Sequence, residues 1–276
     1  MGFLRKLLIA ALVVGPVCWA LAVGALWHFQ DNVLYPGAGV DRPLHSIAPD
    51  GGVIYDQHQK AWAWVAHPYV TPKATLVFFH GGGDRAELRW EYHREYFLRR
   101  GMRVIFAEYP GYGERTGQIA ADDTLVTDAR ALLAKVQQTY VDAPIWVAGD
   151  SLGAAIAAQV ADTSNIEQVL LITPWHRFED VFAQNFPWAP VRWLVNASYD
   201  SCQALSHQKA KVRVLYSGQD ALIPAEHAKS LIGCLGLSAA QVLEMPDAGH
   251  DDWSVRMTAD QWDWLLNNTT RGGTSQ

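Results

Sequence analysis

The pentapeptide Gly149-Asp150-Ser151-Leu152-Gly153 constrains this chain more than any other segment. It follows the apolar run Ile145-Trp146-Val147-Ala148 and precedes Ala154-Ala155-Ile156-Ala157-Ala158. Read in order, these are a buried strand, a sharp turn and a helix. So tight a turn strains its central residue and lifts the serine hydroxyl clear of the sheet. Glycine on either side removes the side chains that would meet the strand and the helix. The bare Gly-x-Ser-x-Gly pattern arises often by chance. The strand before it and the helix after it make Ser151 a candidate nucleophile.

An activated serine needs a base, a group that orients the base, and donors for an oxyanion. Val212-Arg213-Val214-Leu215-Tyr216 reads as a buried strand and leads through Ser217-Gly218-Gln219 to Asp220. Gln241-Val242-Leu243-Glu244-Met245 reads as another strand and leads through Pro246-Asp247-Ala248-Gly249 to His250. Ser151, Asp220 and His250 thus each fall just past the carboxyl end of a strand. In an open parallel sheet those ends gather at one edge, where ligands bind. His250 is expected to take the Ser151 proton, and Asp220 to hold the imidazole. Asp180 is the alternative acid. Asp247, Asp251 and Asp252 read as loop caps or solvated charges. The oxyanion donors are expected at the backbone N–H of Leu152 and at Gly82, or Gly83, in the loop that follows Leu76-Val77-Phe78-Phe79-His80. No Lys-Ser/Thr follows these glycines, which argues against a phosphate cradle.

The 276 residues, half of them apolar, supply one sizeable core, and no repeat or internal boundary argues for a second. A net charge of −6 without a basic block argues against nucleic acid. No His-Glu-x-x-His, paired Cys-x-x-Cys or dinucleotide fingerprint occurs, so neither metal nor cofactor is expected. At the amino end Arg5 and Lys6 precede 21 uncharged positions, Leu7 to Trp27. That length spans a bilayer as a helix, and Pro16 does not forbid it. The basic flank keeps the amino end cytoplasmic and puts everything after residue 30 on the other side. Secretion after signal cleavage is the competing reading, because Ala20-Leu21-Ala22 resembles a cleavage site. The apolar stretch is longer than a typical signal core, which favours the anchor. Cys202 and Cys234 are either a disulfide or two buried thiols, and spacing does not decide between them. Asn196-Ala197-Ser198 and Asn268-Thr269-Thr270 match glycosylation sequons, which carry meaning only in a eukaryotic host.

Residues 31–49 read as an irregular connection. Val53-Ile54-Tyr55 and Ala61-Trp62-Ala63-Trp64-Val65 form an opening hairpin. Strands at 75–80, 103–108 and 168–173 then alternate with helices at 86–100, stopped by Gly101, and at 122–139, opened by Asp122-Asp123. This rhythm predicts an α/β fold, a mostly parallel central sheet with helices on both faces. Residues 174–207 interrupt it with Trp175, Phe178, Phe182, Phe186, Trp188, Trp193 and Tyr199, broken by Pro187 and Pro190. They read as a small cap-like helical insertion near the active-site edge. Its aromatics line an acyl pocket, touch a bilayer, or simply pack on the sheet. A last helix is expected from Ser254 to Asn267, closing a catalytic domain of residues 31–267. Residues 268–276 are expected to form a flexible tail.

The chain resembles the membrane-anchored serine hydrolases of the α/β-hydrolase superfamily, the Bem46-like group, over roughly residues 30–266. The likeness rests on Phe79-His80-Gly81-Gly82-Gly83, Tyr109-Pro110-Gly111-Tyr112-Gly113, Gly149-Asp150-Ser151-Leu152-Gly153, Pro190-Val191-Arg192-Trp193-Leu194, Gly218-Gln219-Asp220 and Gly249-His250-Asp251-Asp252-Trp253. It implies a triad of Ser151, Asp220 and His250, with Gly82 and Leu152 at the oxyanion positions. It also implies lysophospholipase or depalmitoylase relatives. Gly82-Gly83 stands where the group often has Asn-Ala, and Glu108 where Asp is usual. Neither departure removes a backbone donor. No amino-terminal cysteine cluster for palmitoyl anchoring is present, which favours lipid or other carboxylic esters over palmitoyl-protein. The expected activity is cleavage of an ester, or of a lipid or thioester acyl group, through an acyl-enzyme. An amidase or peptidase would use the same triad. A non-catalytic membrane-tethered binding protein would be expected to carry a broken one.

Overall fold

The computed structural model describes residues 2–40 (backbone only as far as residue 11), 51–162, 165–208 and 211–266. The expected tail and the second sequon therefore lie outside the described residues. After helix α1 (Gly2–Leu34) come strands β1 (Val53–Tyr55), β2 (Ala61–Ala66) and β3 (Ala74–Phe79). Helix α2 (Ala86–Leu98), β4 (Met102–Ala107), α3 (Asp122–Thr139), β5 (Ile145–Asp150), α4 (Leu152–Val160) and β6 (Ile166–Ile172) follow. The chain continues through α5 (Phe178–Asn185), α6 (Ser201–Leu205), β7 (Val212–Ser217), α7 (Ala225–Leu235), β8 (Val242–Met245), α8 (Trp253–Arg256) and α9 (Ala259–Leu266).

The eight strands form one sheet in the order β1-β2-β4-β3-β5-β6-β7-β8. β1 and β2 form the expected antiparallel hairpin, β2 pairs antiparallel with β4, and every later pairing is parallel. The fold is the α/β-hydrolase fold. The pleat sends Val77 and Phe79 of β3 into one cluster and Leu76 and Phe78 into the other. The first cluster is completed by Leu132, Val136, Ile156 and Leu231 from α3, α4 and α7. The second is completed by Trp90, Phe97, Trp262 and Leu265 from α2 and α9. Each fully buried Leu or Phe contributes ~1.5–3 kcal/mol, which is why both sheet faces carry helices.

Two boundaries differ from expectation. The first helix runs on to Leu34, so residues 31–34 are helix rather than connection. One of its faces, Trp19, Val23, Leu26, Gln30 and Leu34, is the side turned to the rest of the chain. The last helix is two helices, because Met257 and Thr258 leave the spiral. Thr258 Oγ1 accepts from the Gln261 N–H (3.3 Å) while Gln261 Oε1 accepts from the Thr258 N–H (2.8 Å). This reciprocal cap starts a new helix there. Cys202 and Cys234 form a disulfide between α6 and α7, Cα atoms 6.1 Å apart, which resolves the choice left open by spacing.

Candidate active site

Ser151 sits at the carboxyl end of the central strand β5 with φ +54° and ψ −118°. A non-glycine residue holds this left-handed backbone only when its surroundings enforce it. The two flanking glycines show the enforcement. A Cβ on Gly149 would stand 2.1 Å from the Gly153 carbonyl oxygen, and one on Gly153 would stand 1.9 Å from that of Phe79. Strand and helix touch backbone to backbone, so only glycine fits. The Ser151 N–H donates to the Ile172 carbonyl (3.0 Å), anchoring the turn to β6.

Asp220 and His250 lie on the loops after β7 and β8. The His250 Nδ1–H donates to Asp220 Oδ2 at 2.7 Å, and the side chain of Asp220 is 1% exposed. The other carboxylate oxygen accepts from the backbone N–H groups of Leu222 (2.9 Å) and Ile223 (2.7 Å). The acid is therefore fixed on both oxygens. Burial opposes the charged form of His250, but the hydrogen bond and charge of Asp220 outweigh it and raise its pKa above the ordinary imidazole value. Asp180, the alternative acid, instead faces His176 at 2.8 Å. Asp252 caps the loop, accepting from the Gly249 N–H at 2.7 Å. Ser151 and His250 line one cavity. No hydrogen bond joins them among the described residues; such bonds often tighten only with substrate in place.

Gly81, Gly82, Gly83 and Leu152 line the same cavity. Leu152 opens α4, so its N–H has no intrahelical acceptor. The Gly82 N–H meets no acceptor among the described residues, while its carbonyl accepts from Gly37 N (2.9 Å) and Tyr112 Oη (2.8 Å). The loop is thus tethered through its carbonyls with its N–H groups left over. His80 reinforces this: its Nδ1–H donates to the Gly81 carbonyl (2.8 Å) and its Nε2–H to Glu108 (3.0 Å). The ring is buried, which opposes its charge, yet the Glu108 hydrogen bond and charge raise its pKa above the ordinary imidazole value.

The cavity encloses about 740 Å³. Part of its lining is apolar, with Trp175, Phe178, Val181, Phe182 and Phe186 from the insertion and Leu222 and Ile223 beyond Asp220. Another part is charged or polar, with Asp84, Arg89, His93, Asp150 and Asp251. The insertion aromatics divide accordingly. Trp175, Phe178 and Phe182 are buried at the cavity, Tyr199 is buried against Tyr35 (Oη–Oη 3.2 Å), and Trp188 and Trp193 are exposed.

Sequence reasoning missed three contributors. Arg89 of α2 pairs with Asp150 (2.7 Å) and with Asp84, joining the Ser151 turn to the glycine loop. Nothing in its helical surroundings marked it. His80 sat inside one quoted motif and Glu108 just before another, but their contact joins two strand ends and has no local signature. Val33, Leu34 and Pro36, at the end of the apolar helix, form part of the cavity wall.

A strained serine after the central strand, a histidine–carboxylate pair beside it and two unpaired backbone donors are the arrangement of an α/β hydrolase. The chain belongs to the serine aminopeptidase S33 family, which it matches over residues 70–213. It is 29% identical over 238 residues to an uncharacterized protein of Mycobacterium tuberculosis, covering 82% of each chain. It is 26% identical over 135 residues to a monoglyceride lipase of Rattus norvegicus, covering 47% of this chain and 42% of that one. Among solved structures, a Pyrococcus furiosus esterase superposes with TM-score 0.57 at 16% identity, over 82% of this chain and 97% of that one. A cold-adapted esterase from an Arctic intertidal metagenomic library gives 0.55 at 19% identity, over 74% and 86%. At such identities the structural likeness speaks for the fold.

Proposed function

We propose that the protein is a membrane-anchored serine hydrolase that cleaves carboxylic esters through an acyl-enzyme. Ser151 Oγ attacks the ester carbonyl while His250 takes its proton, and the N–H groups of Gly82 and Leu152 hold the oxyanion. The tetrahedral intermediate collapses, and His250 returns the proton to the departing alcohol. Water, deprotonated by His250, then releases the acid. Asp220 keeps the imidazole in the required tautomer and stabilises its cation. The observation that carries this reading is the Asp220–His250 hydrogen bond of 2.7 Å at the cavity that also holds the strained Ser151. The apolar lining accommodates an acyl chain, which favours lipid-like esters. A monoglyceride lipase among the relatives points the same way.

Residues Leu12–Leu34 are long and apolar enough to cross a membrane. An uncleaved helix of this kind fits the membrane-anchored Bem46-like group, with residues 31–267 as the catalytic domain on the non-cytoplasmic side. The disulfide suits that side, since such bonds persist in oxidising compartments. The test is hydrolysis of p-nitrophenyl esters from acetate to palmitate, with Ser151→Ala as control. The expected result is activity with a medium or long optimum, lost in the variant. Equal activity in the variant overturns the assignment. The aminopeptidase description of the family supports a second reading, amide hydrolysis by the same triad. Cleavage of aminoacyl p-nitroanilides without ester turnover would select it.

A further inference from the structure

The tip of the insertion is tied to the apolar helix. The Trp19 indole N–H donates to the Trp188 carbonyl at 2.9 Å, 169 residues away in the chain. Further along the same helix face Leu26 packs on the core, and Gln30 Oε1 accepts from the Asn196 N–H at 3.1 Å. The insertion therefore runs beside α1 from residue 19 to residue 30.

The helix fixes where a bilayer would lie. Arg5 and Lys6 mark one boundary. Between them and Trp19 stand residues 7–18, about 18 Å of helix at 1.5 Å per residue, short of the roughly 30 Å hydrocarbon core. A crossing helix must therefore continue past Trp19 before it leaves the lipid. Whatever touches Trp19 is then at membrane depth.

The tip has the composition and backbone for that place. Phe186-Pro187-Trp188-Ala189-Pro190-Val191 carries no charge. Trp193 is 89% exposed and Trp188 46%. Two prolines remove N–H donors. Much of the remaining backbone is satisfied locally, by Ala189 N to Phe186 O (3.0 Å), Val191 N to Ala189 O (2.8 Å) and Trp193 N to Pro190 O (3.0 Å). Irregular backbone tolerates low polarity only when its polar groups are paired in this way. Arg192, its side chain 77% exposed and its guanidinium 3.8 Å from Asp180, offers a cation that can snorkel toward phosphate.

We propose that the segment 186–193 inserts into the outer leaflet beside α1, with Trp188 and Trp193 facing lipid. The cavity holds Phe186 from this tip, so its apolar lining opens beside the bilayer and receives acyl chains directly from lipid. The proposal rests on α1 being a membrane anchor. The test uses the full chain in phosphatidylcholine vesicles carrying doxyl-labelled lipid, in a Cys18→Ser background. An environment-sensitive fluorophore is attached in turn at Val13→Cys, Trp193→Cys and Val141→Cys. Val13 lies in the helix, and Val141 precedes β5 at the far edge of the sheet. Loss of fluorescence at 193 approaching that at 13, with 141 unaffected, is the expected result. Quenching at 13 but not at 193 overturns the docking of the tip and leaves the anchor standing. No quenching at 13 removes the anchor and this proposal with it.

Discussion

Arg89 offers a quantitative test of how the candidate oxyanion site works. Asp150, immediately before Ser151, is buried, and its Oδ1 makes no hydrogen bond among the described residues. That oxygen lies 3.8 Å from where a Cβ on Gly81 would stand, so a carboxylate sits beneath the oxyanion loop. Burial raises the pKa of Asp150, while Arg89, 2.7 Å from Oδ2, favours its charged form and cancels its field. Arg89→Gln removes the cancellation. A full charge roughly 6–8 Å from a developing oxyanion, at an effective dielectric near 20, costs ~2–3 kcal/mol. The expected loss is then about 30- to 150-fold in kcat, with little change in KM, because the charge opposes only the transition state. The loss should shrink as pH falls and Asp150 takes up a proton. Adding Asp150→Asn to Arg89→Gln should restore most of the rate. Steady-state kinetics on a soluble p-nitrophenyl ester would read all of this. A double variant as slow as Arg89→Gln, with both folded by circular dichroism, would refute the electrostatic argument and leave Arg89 a purely structural tie.

Further outcomes follow from the geometry. The acid limb of the pH profile of kcat/KM should fall at a pKa above 6.5, because His250 must be neutral to act as base and Asp220 raises its pKa; activity is present above that pH and lost as pH drops through it. Asp220→Asn should move that limb to lower pH and cost on the order of 10⁴-fold in kcat. Gly153→Ala places a methyl 1.9 Å from the Phe79 carbonyl oxygen and should destabilise the fold by about 3 kcal/mol or more, read as a lowered urea midpoint. Glu108→Ala should cost about 1–3 kcal/mol, since the buried His80 Nε2–H and the Ala86 N–H lose their acceptor. Replacing Cys202 and Cys234 together with serine opens a bridge across 32 positions and should lower stability by roughly 3–4 kcal/mol.

The sheet and its turn residues were readable because their signals are local. Fully buried strands such as Val77 to Phe79 appear as unbroken apolar runs, and Gly149 and Gly153 mark the only residues that backbone contact permits. Asp220 and His250 were readable because strand ends in a parallel sheet share one edge. What escaped was long-range or relational. The apolar count of α1 did not reveal that residues 19–34 share one packed face, because the insertion that covers it is 169 positions away at Trp188. Arg89 was invisible because an arginine in a helix looks solvated until its two carboxylates are placed. The break at Met257–Thr258 was missed because no glycine or proline marks it, while the reciprocal cap at Thr258 and Gln261 is the competing signal.

The most direct test of the central claim needs no knowledge of the substrate. The full chain is treated with an alkyl fluorophosphonate and the adduct is mapped by peptide mass spectrometry. If Ser151 is a nucleophile activated by His250, its Oγ bonds to phosphorus, fluoride leaves, and a single phosphonylated serine appears at position 151. Labelling should vanish in Ser151→Ala and slow sharply in His250→Ala. An unlabelled Ser151 in folded protein, or labelling that persists at an undiminished rate without His250, would contradict the account.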